Sequence, residues 1–293
     1  MADYKITVDS TCDLPLSYLK ENDVHFFQLK FIMDDIEYPD DMLQSMSAKD
    51  FYSKLAAGSM STTSQVNVAD YTEIMEPMLK EGHDILQISF SSGLSGSYNS
   101  AAIAVRELSE KYPKRKIRLV DSLGASLGYG LLVDYAVEMK KLGKSIDEVY
   151  EWLEENKLTV SHQFTVDSLE HLKRGGRVSG AAAAIGTLLK VKPALVIDAE
   201  GHVKAGDKVK GRKKALIALV DKMEVEGKNL DGQKIYICHA DCLDDAQFIE
   251  RKVKERFPNI GEIVIWYVGP VIGTHSGPGT AGLFFLGEKR VMK

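Results

Sequence analysis

The sequence predicts an α/β protein of two α/β domains, the first with a mainly parallel sheet and the second with a mixed sheet. Three observations carry this. Short, β-prone apolar runs alternate with runs of helical periodicity, the pattern of strands joined by crossover helices. A length of 293 residues suffices for two domains at roughly 100–200 residues each. After Asn156 the texture changes, with longer strand-like runs and a hairpin turn, so the boundary is placed at Lys157, giving domains 1–157 and 158–293.

The predicted strands of the first half are Lys5–Val8, His25–Ile32, Ile85–Phe90 and Ile117–Val120. Helical spacing predicts Asp50–Ala57, Val68–Glu81, Asn99–Lys111, Gly128–Leu142 and a helix capped by Ser145 that runs to Asn156. In the second half Leu158–Val166 and Ala194–Val209 read as strands, with a turn at Asp198-Ala199-Glu200-Gly201. Ala181–Leu189 is a small-residue helix and Lys213–Val225 another. Strands Ile235–Ala240 and Ile263–Tyr267 flank a helix at Asp244–Arg256.

With 44% hydrophobic and 27% charged residues, the composition is that of an ordinary globular protein. The 37 basic against 42 acidic residues leave a net charge of −5, with no basic stripe for nucleic acid. No run of about 18 apolar residues is present, and the N-terminus lacks a signal-peptide layout, so the expected location is the cytoplasm. Three cysteines are too few for a disulfide framework.

The most informative segment is Ser91-Ser92-Gly93-Leu94-Ser95-Gly96-Ser97, between a strand and a helix. Such a loop offers backbone N–H groups, hydroxyls and a helix dipole to an anionic head group, carboxylate or phosphate. A plain turn with a serine cap is the alternative. Ser61-Thr62-Thr63-Ser64-Gln65 precedes a helix and either caps it or adds donors to the same pocket. Gly269 to Gly279 reads as a tight loop carrying His275, the preferred functional histidine of seven. Leu172-Lys173-Arg174-Gly175-Gly176-Arg177 is a basic turn, either solvated or offering an arginine to phosphate or a partner.

Gly124-Ala125-Ser126-Leu127-Gly128 matches the nucleophile-elbow pattern, but the strand before it ends near Val120, which puts Ser126 in a helix start instead of the required sharp turn. Cys238-His239-Ala240-Asp241-Cys242 lacks a second Cys/His pair, so no metal is expected, and Asp241 is read as a helix cap. No phosphate-binding glycine loop of the nucleotide-binding types is present.

Taken together, Asp9-Ser10-Thr11-Cys12-Asp13-Leu14-Pro15, Thr63-Ser64-Gln65, the serine–glycine loop with Tyr98, Val166-Asp167-Ser168-Leu169 through Gly175-Gly176-Arg177, and Gly269–Gly279 resemble the DegV family of bacterial lipid-binding proteins. Val66 departs from the proline often found there. The resemblance implies a single long-chain fatty acid in a buried tunnel between two α/β domains, and no other cofactor. It implies a carboxylate site at Thr63, Ser64, Ser92, Gly93, Ser95, Gly96, Thr274 and His275. Relatives of the FakB type present the acid to a separate fatty acid kinase that makes the acyl phosphate. Arg177, with Arg174, would dock that kinase. Such a carrier has no turnover of its own and would touch a membrane only in passing, for lipid exchange. The competing class is a serine hydrolase working through Ser126 or Ser92 with His275.

Overall fold

A computed structural model describes residues 4–178 and 191–291. Strands β1 (Tyr4–Asp9), β2 (Val24–Phe27), β6 (Asp84–Ser89) and β7 (Ile117–Asp121) form a four-stranded parallel sheet in the order β2-β1-β6-β7. Its middle strands are buried on both faces, and the polar side chains this buries answer one another, Thr7 Oγ1 donating to Gln87 Oε1 at 2.5 Å. Helices α1 (Leu16–Glu21), α3 (Val68–Lys80), α4 (Ser97–Lys111), α5 (Ser126–Lys141) and α6 (Ile146–Asn156) surround it. The helix α5 is buried almost throughout its first three turns, which matches its near lack of polar residues there.

Three short strands, β3 (Lys30–Met33), β4 (Ile36–Pro39) and β5 (Ser61–Ser64), make a separate antiparallel sheet in the order β4-β3-β5, with α2 (Ala48–Ala56) between β4 and β5 in sequence. This corrects two expectations. The run His25–Ile32 is two strands in two sheets, because the chain is held at the break. There the Leu29 N–H donates to Ser10 Oγ at 3.2 Å and its carbonyl accepts from Asp40 N–H at 2.8 Å. Residues 61–64 are a strand, not a cap: α3 is capped by Asn67 in a capping box with Asp70.

Among the described residues the second main sheet draws its strands from 160–286. Its members are β8 (Val160–Thr165), β9 (Val191–Ile197), β10 (Val203–Lys210), β11 (Ile235–His239), β12 (Ile263–Tyr267) and β13 (Ala281–Leu286). The order is β10-β9-β8-β13-β11-β12, and only β11 and β12 pair in parallel. The run Ala194–Val209 is a β9–β10 hairpin, whose turn is fixed by Asp198 Oδ1 accepting from Glu200 N–H and His202 N–H. Helices α8 (Arg212–Glu226) and α9 (Leu243–Arg256) cover the outer face, with Leu219, Val220 and Met223 packed on Ile235, Ile237 and Phe285. The predicted helix Ala181–Leu189 lies outside the described residues. Asp241 does not cap α9: Cys242 stands at the cap, without a side-chain bond.

The other face of this sheet looks inward. Cys238 and Phe284 share one apolar core with Ile6, Val8, Leu127 and Leu131 of the first half. Polar ties reinforce the contact. Tyr52 Oη donates to the Val268 carbonyl at 2.7 Å, and Lys234 pairs with Asp134 and Glu138 on α5. Two further helices lie at this junction, α7 (Glu170–Arg174) and α10 (Pro270–Ser276), and α10 packs on β3 and β5.

Candidate ligand site at the junction

Part of the set of site residues expected from the sequence converges because four elements end at the same place. The strand β5 brings Thr63 and Ser64, the loop before α4 brings Ser95 and Gly96, α10 brings His275, and the turn after α7 brings Arg177. All six residues line a cavity of about 340 Å³. The remaining wall is mainly apolar and includes Leu29, Phe90, Leu94, Phe164, Ile197, Val203, Val271, Ile272 and Phe284. Among the described residues Arg177 is its only charged lining residue besides the titratable histidines, and no carboxylate lines it.

His275 does not stand on a loop, as its glycine-rich surroundings predict. It occupies the last turn of α10, which starts at Pro270 in the favourable first position. Its Nε2 meets Thr63 Oγ1 at 2.8 Å, while Nδ1 is buried without a partner. One residue earlier, Thr274 is buried outside the cavity wall, its Oγ1 bonded to Ser61 Oγ at 2.8 Å. Burial first, then the charges of Arg177 and Arg174 and of His171, push the His275 imidazole down to about 4, so it is neutral at pH 7. Glycine at 175 is what admits the ring: a Cβ there would stand 2.1 Å from Nδ1.

The serine–glycine loop offers fewer free amides than its composition suggests. Ser92 N–H donates to Asp121 Oδ1, Gly93 N–H to Ser91 Oγ, and the Leu94 and Ser95 amides to the Ser91 carbonyl. Ser97 N–H goes to Ser95 Oγ. Gly96 is the helix cap position, and it packs against the side chain of Gln65, where a Cβ would lie 2.2 Å from Oε1. Ser92 is exposed, and neither it nor Gly93 lines the cavity.

Arg177 is turned inward. Its Nε donates to the Leu94 carbonyl at 3.2 Å and its Nη1 to the Gly175 carbonyl at 2.5 Å. No carboxylate among the described residues pairs with it. Arg174 is exposed and instead touches Met60 Sδ and His171 Nδ1.

Ser126 lines the cavity but serves another partner. It begins α5 with a left-handed backbone (φ 52°), and its hydroxyl donates to Asp13 Oδ2 at 2.5 Å. Asp13 and Asp40 are both buried against the N-terminus of α10, where a Cβ on Gly269 would lie 2.5 Å from Asp13 Oδ1. Burial pushes Asp40 up to about 7, and burial together with Asp40 raises Asp13 well above the carboxylate range. Both acids take hydrogen bonds from backbone at the start of the helix that carries His275, Asp13 from Gly269 and Asp40 from Val271.

Two lining residues carried no signal in the sequence. His162 is a buried strand histidine whose Nδ1 faces the Val160 carbonyl at 3.0 Å; since a carbonyl only accepts, Nδ1 holds the proton. Its Nε2 accepts a long 3.4 Å contact from Ala125 N–H, and burial keeps it neutral. Ser276 sits in the glycine-rich segment beside His275, with no cue that it faces a cavity.

Comparison with known proteins decides the relationship. The sequence profile described as an uncharacterised protein of the DegV family matches residues 3–288. This chain belongs to the DegV family. A DegV domain-containing protein of Clostridium perfringens is 48% identical, with 99% of each chain covered. A DegV family protein of Thermus thermophilus, described for its fatty acid binding, superposes with a TM-score of 0.88 at 30% identity, covering 98% of this chain and all of that one. The fold is also that of the Streptococcus pneumoniae fatty acid kinase (Fak) B3 protein, solved with linoleic acid: TM-score 0.84, 22% identity, 98% and 100% coverage. Like these DegV structures, the chain combines a parallel sheet with a mixed one. Among the described residues no helix is long and apolar enough to cross a membrane.

Proposed function

We propose that this protein binds one long-chain fatty acid, tail in the junction cavity and carboxylate at the Thr63–His275 end, and presents it to a fatty acid kinase. The observation that carries this is the division of one cavity into two chemistries. One end holds a hydroxyl, a neutral imidazole and an arginine that has no carboxylate partner among the described residues; the rest is mainly apolar. An anion gains charge-assisted bonds at the first end, and each methylene buried in the second contributes about 0.8 kcal/mol. The volume falls within the range of small-molecule pockets. The fatty acid binding described for the Thermus thermophilus relative supports the ligand. The name of the Streptococcus pneumoniae neighbour supports the kinase partner.

Carboxylate contacts are assigned to Thr63, Ser64, Ser95, Gly96 and His275, with Arg177 added from the cavity wall. Thr274 supports these from behind, tying the His275 helix to β5 through Ser61, whereas Ser92 and Gly93 lie outside the cavity wall. Docking of the kinase is assigned to the exposed Arg174. The protein works as a carrier without turnover. The competing serine hydrolase needs a serine activated by His275, and among the described residues no serine hydroxyl hydrogen-bonds to it; Ser126 faces Asp13 and His275 faces Thr63.

The test is organic extraction of the purified protein with mass spectrometry, and native mass spectrometry for stoichiometry. One fatty acid per chain is expected; a protein that is empty and takes up no added fatty acid would refute the reading. In a reaction reconstituted with the kinase, Arg174→Ala should slow acyl phosphate formation while the protein stays loaded.

A further inference from the structure

Two hydroxyls on the cavity wall have their protons directed by the residues behind them. Thr63 Oγ1 lies 2.8 Å from His275 Nε2. Gly175 decides which ring nitrogen is protonated. A Cβ there would stand 2.1 Å from Nδ1 and 3.0 and 3.3 Å from the flanking Cε1 and Cγ, so the glycine hydrogen in its place points at Nδ1. A proton on Nδ1 would collide with that hydrogen, whereas a bare nitrogen accepts a C–H contact. The neutral imidazole therefore carries its proton on Nε2 and donates it to Thr63, which keeps its own proton to give.

The oxygen of Ser95 is filled more completely. It accepts from Ser97 N–H at 3.2 Å and lies 3.0 Å from Ser97 Oγ. Ser97 is fully buried, and its oxygen accepts from Val66 N–H at 3.3 Å. Among the described residues the Ser97 proton has Ser95 Oγ as its one acceptor. Buried donors take the acceptor they have, so Ser97 donates to Ser95. A hydroxyl accepts twice and gives one proton. Ser95, half-buried on the cavity wall, is thereby full as an acceptor with a proton still to give.

Resting on the fatty-acid reading above, we propose that Ser97, which lies outside the cavity wall, is a positioning residue that sets head-group specificity. By filling the Ser95 oxygen it leaves that hydroxyl able only to donate. The site then takes a head group that only accepts, an ionised carboxylate, over one with a proton of its own to place, such as an alcohol.

The experiment uses delipidated full-length protein and a displaceable fluorescent fatty acid, against which palmitate and 1-hexadecanol compete. Their tails match, so the ratio of the two affinities reads the head group. Wild type should favour palmitate by about tenfold or more, the effect of a charge-assisted bond gained and an alcohol proton left without an acceptor. Ser97→Ala opens an acceptor position on Ser95, so hexadecanol should bind about threefold to tenfold more tightly, while palmitate, with no proton to give, gains nothing. Lost packing would not strengthen a ligand. In a Ser95→Ala background the same substitution should no longer favour the alcohol. Should Ser97→Ala fail to fold, Ser95→Ala alone decides, since palmitate should then lose more affinity than hexadecanol. If palmitate binds and wild type does not prefer it, or Ser97→Ala weakens both ligands alike or changes neither, or Ser95→Ala costs both equally, the proposal is overturned and the carrier reading survives. If palmitate does not bind at all, the carrier reading falls and this proposal with it.

Discussion

At the residue scale the site depends on a histidine kept neutral. The folded protein holds His275 at about 4, against about 6.5 in an unfolded chain. Between those values the unfolded chain takes up a proton that the folded chain refuses. Stability from this group is therefore complete above about pH 6.5 and is lost as pH falls toward 4. Thermal melts of lipid-free protein should show a larger drop from pH 7 to pH 5 in the wild type than in His275→Gln. Equal drops would mean that the ring is not buried as described. The ring also needs the missing side chain at Gly175. Gly175→Ala should displace it and lower fatty acid affinity by about tenfold, the loss of about one charge-assisted bond, with circular dichroism unchanged. Unaltered binding would separate His275 from the ligand.

At the element scale, the short helix α10 aims the site. Pro270 starts it, Asp13 and Asp40 lie against its first turn, and Gly273 lets it rest on α2. A Cβ at Gly273 would stand 2.4 Å from Tyr52 Oη and 2.9 Å from Phe51. Gly273→Ala should therefore shift the helix, cost about 1–3 kcal/mol of stability by overcrowding, and weaken lipid retention together. Denaturant unfolding and ligand titration check the two effects; a variant of native stability and affinity would show that the helix is free to move. Much of this element was legible: glycines, a proline and one histidine after a strand mark a constrained functional segment. That it would be a helix was not, because seven residues are too short for periodicity to speak. The serine–glycine loop shows the reverse limit. Its composition announces donors, but whether an amide faces a ligand or a neighbouring serine is set by the backbone path. Here most of the amides turn to Ser91, Ser95 and Asp121.

At the scale of the whole molecule, the cavity exists because two sheets share one core. Arg290, near the chain's end, donates to the carbonyls of Leu123, Lys157, Ile197 and Asp198, so one guanidinium ties the first half, the junction and the β9–β10 hairpin. Among the described residues no carboxylate accepts from it, and burial lowers its pKa to about 10. Arg290→Ala removes the guanidinium from these carbonyls, of which Asp198's keeps the Gly201 N–H, and should cost about 1–3 kcal/mol, read by urea unfolding. A change within error would mean that water replaces the guanidinium. Nothing in the sequence marks Arg290, because its partners are backbone atoms up to 167 positions away.

By itself the sequence determined the alternation of strands and helices and the family, through motifs that include Thr63, Gly96 and His275 in order. Local periodicity and local turn chemistry suffice for these. Tertiary structure alone decided that Arg177 turns inward while Arg174 stays outside, that Ser126 answers to Asp13, and that His162 and Ser276 face the cavity. The reason is physical: which side of a wall a residue occupies depends on how distant elements pack, and packing leaves no local pattern to read.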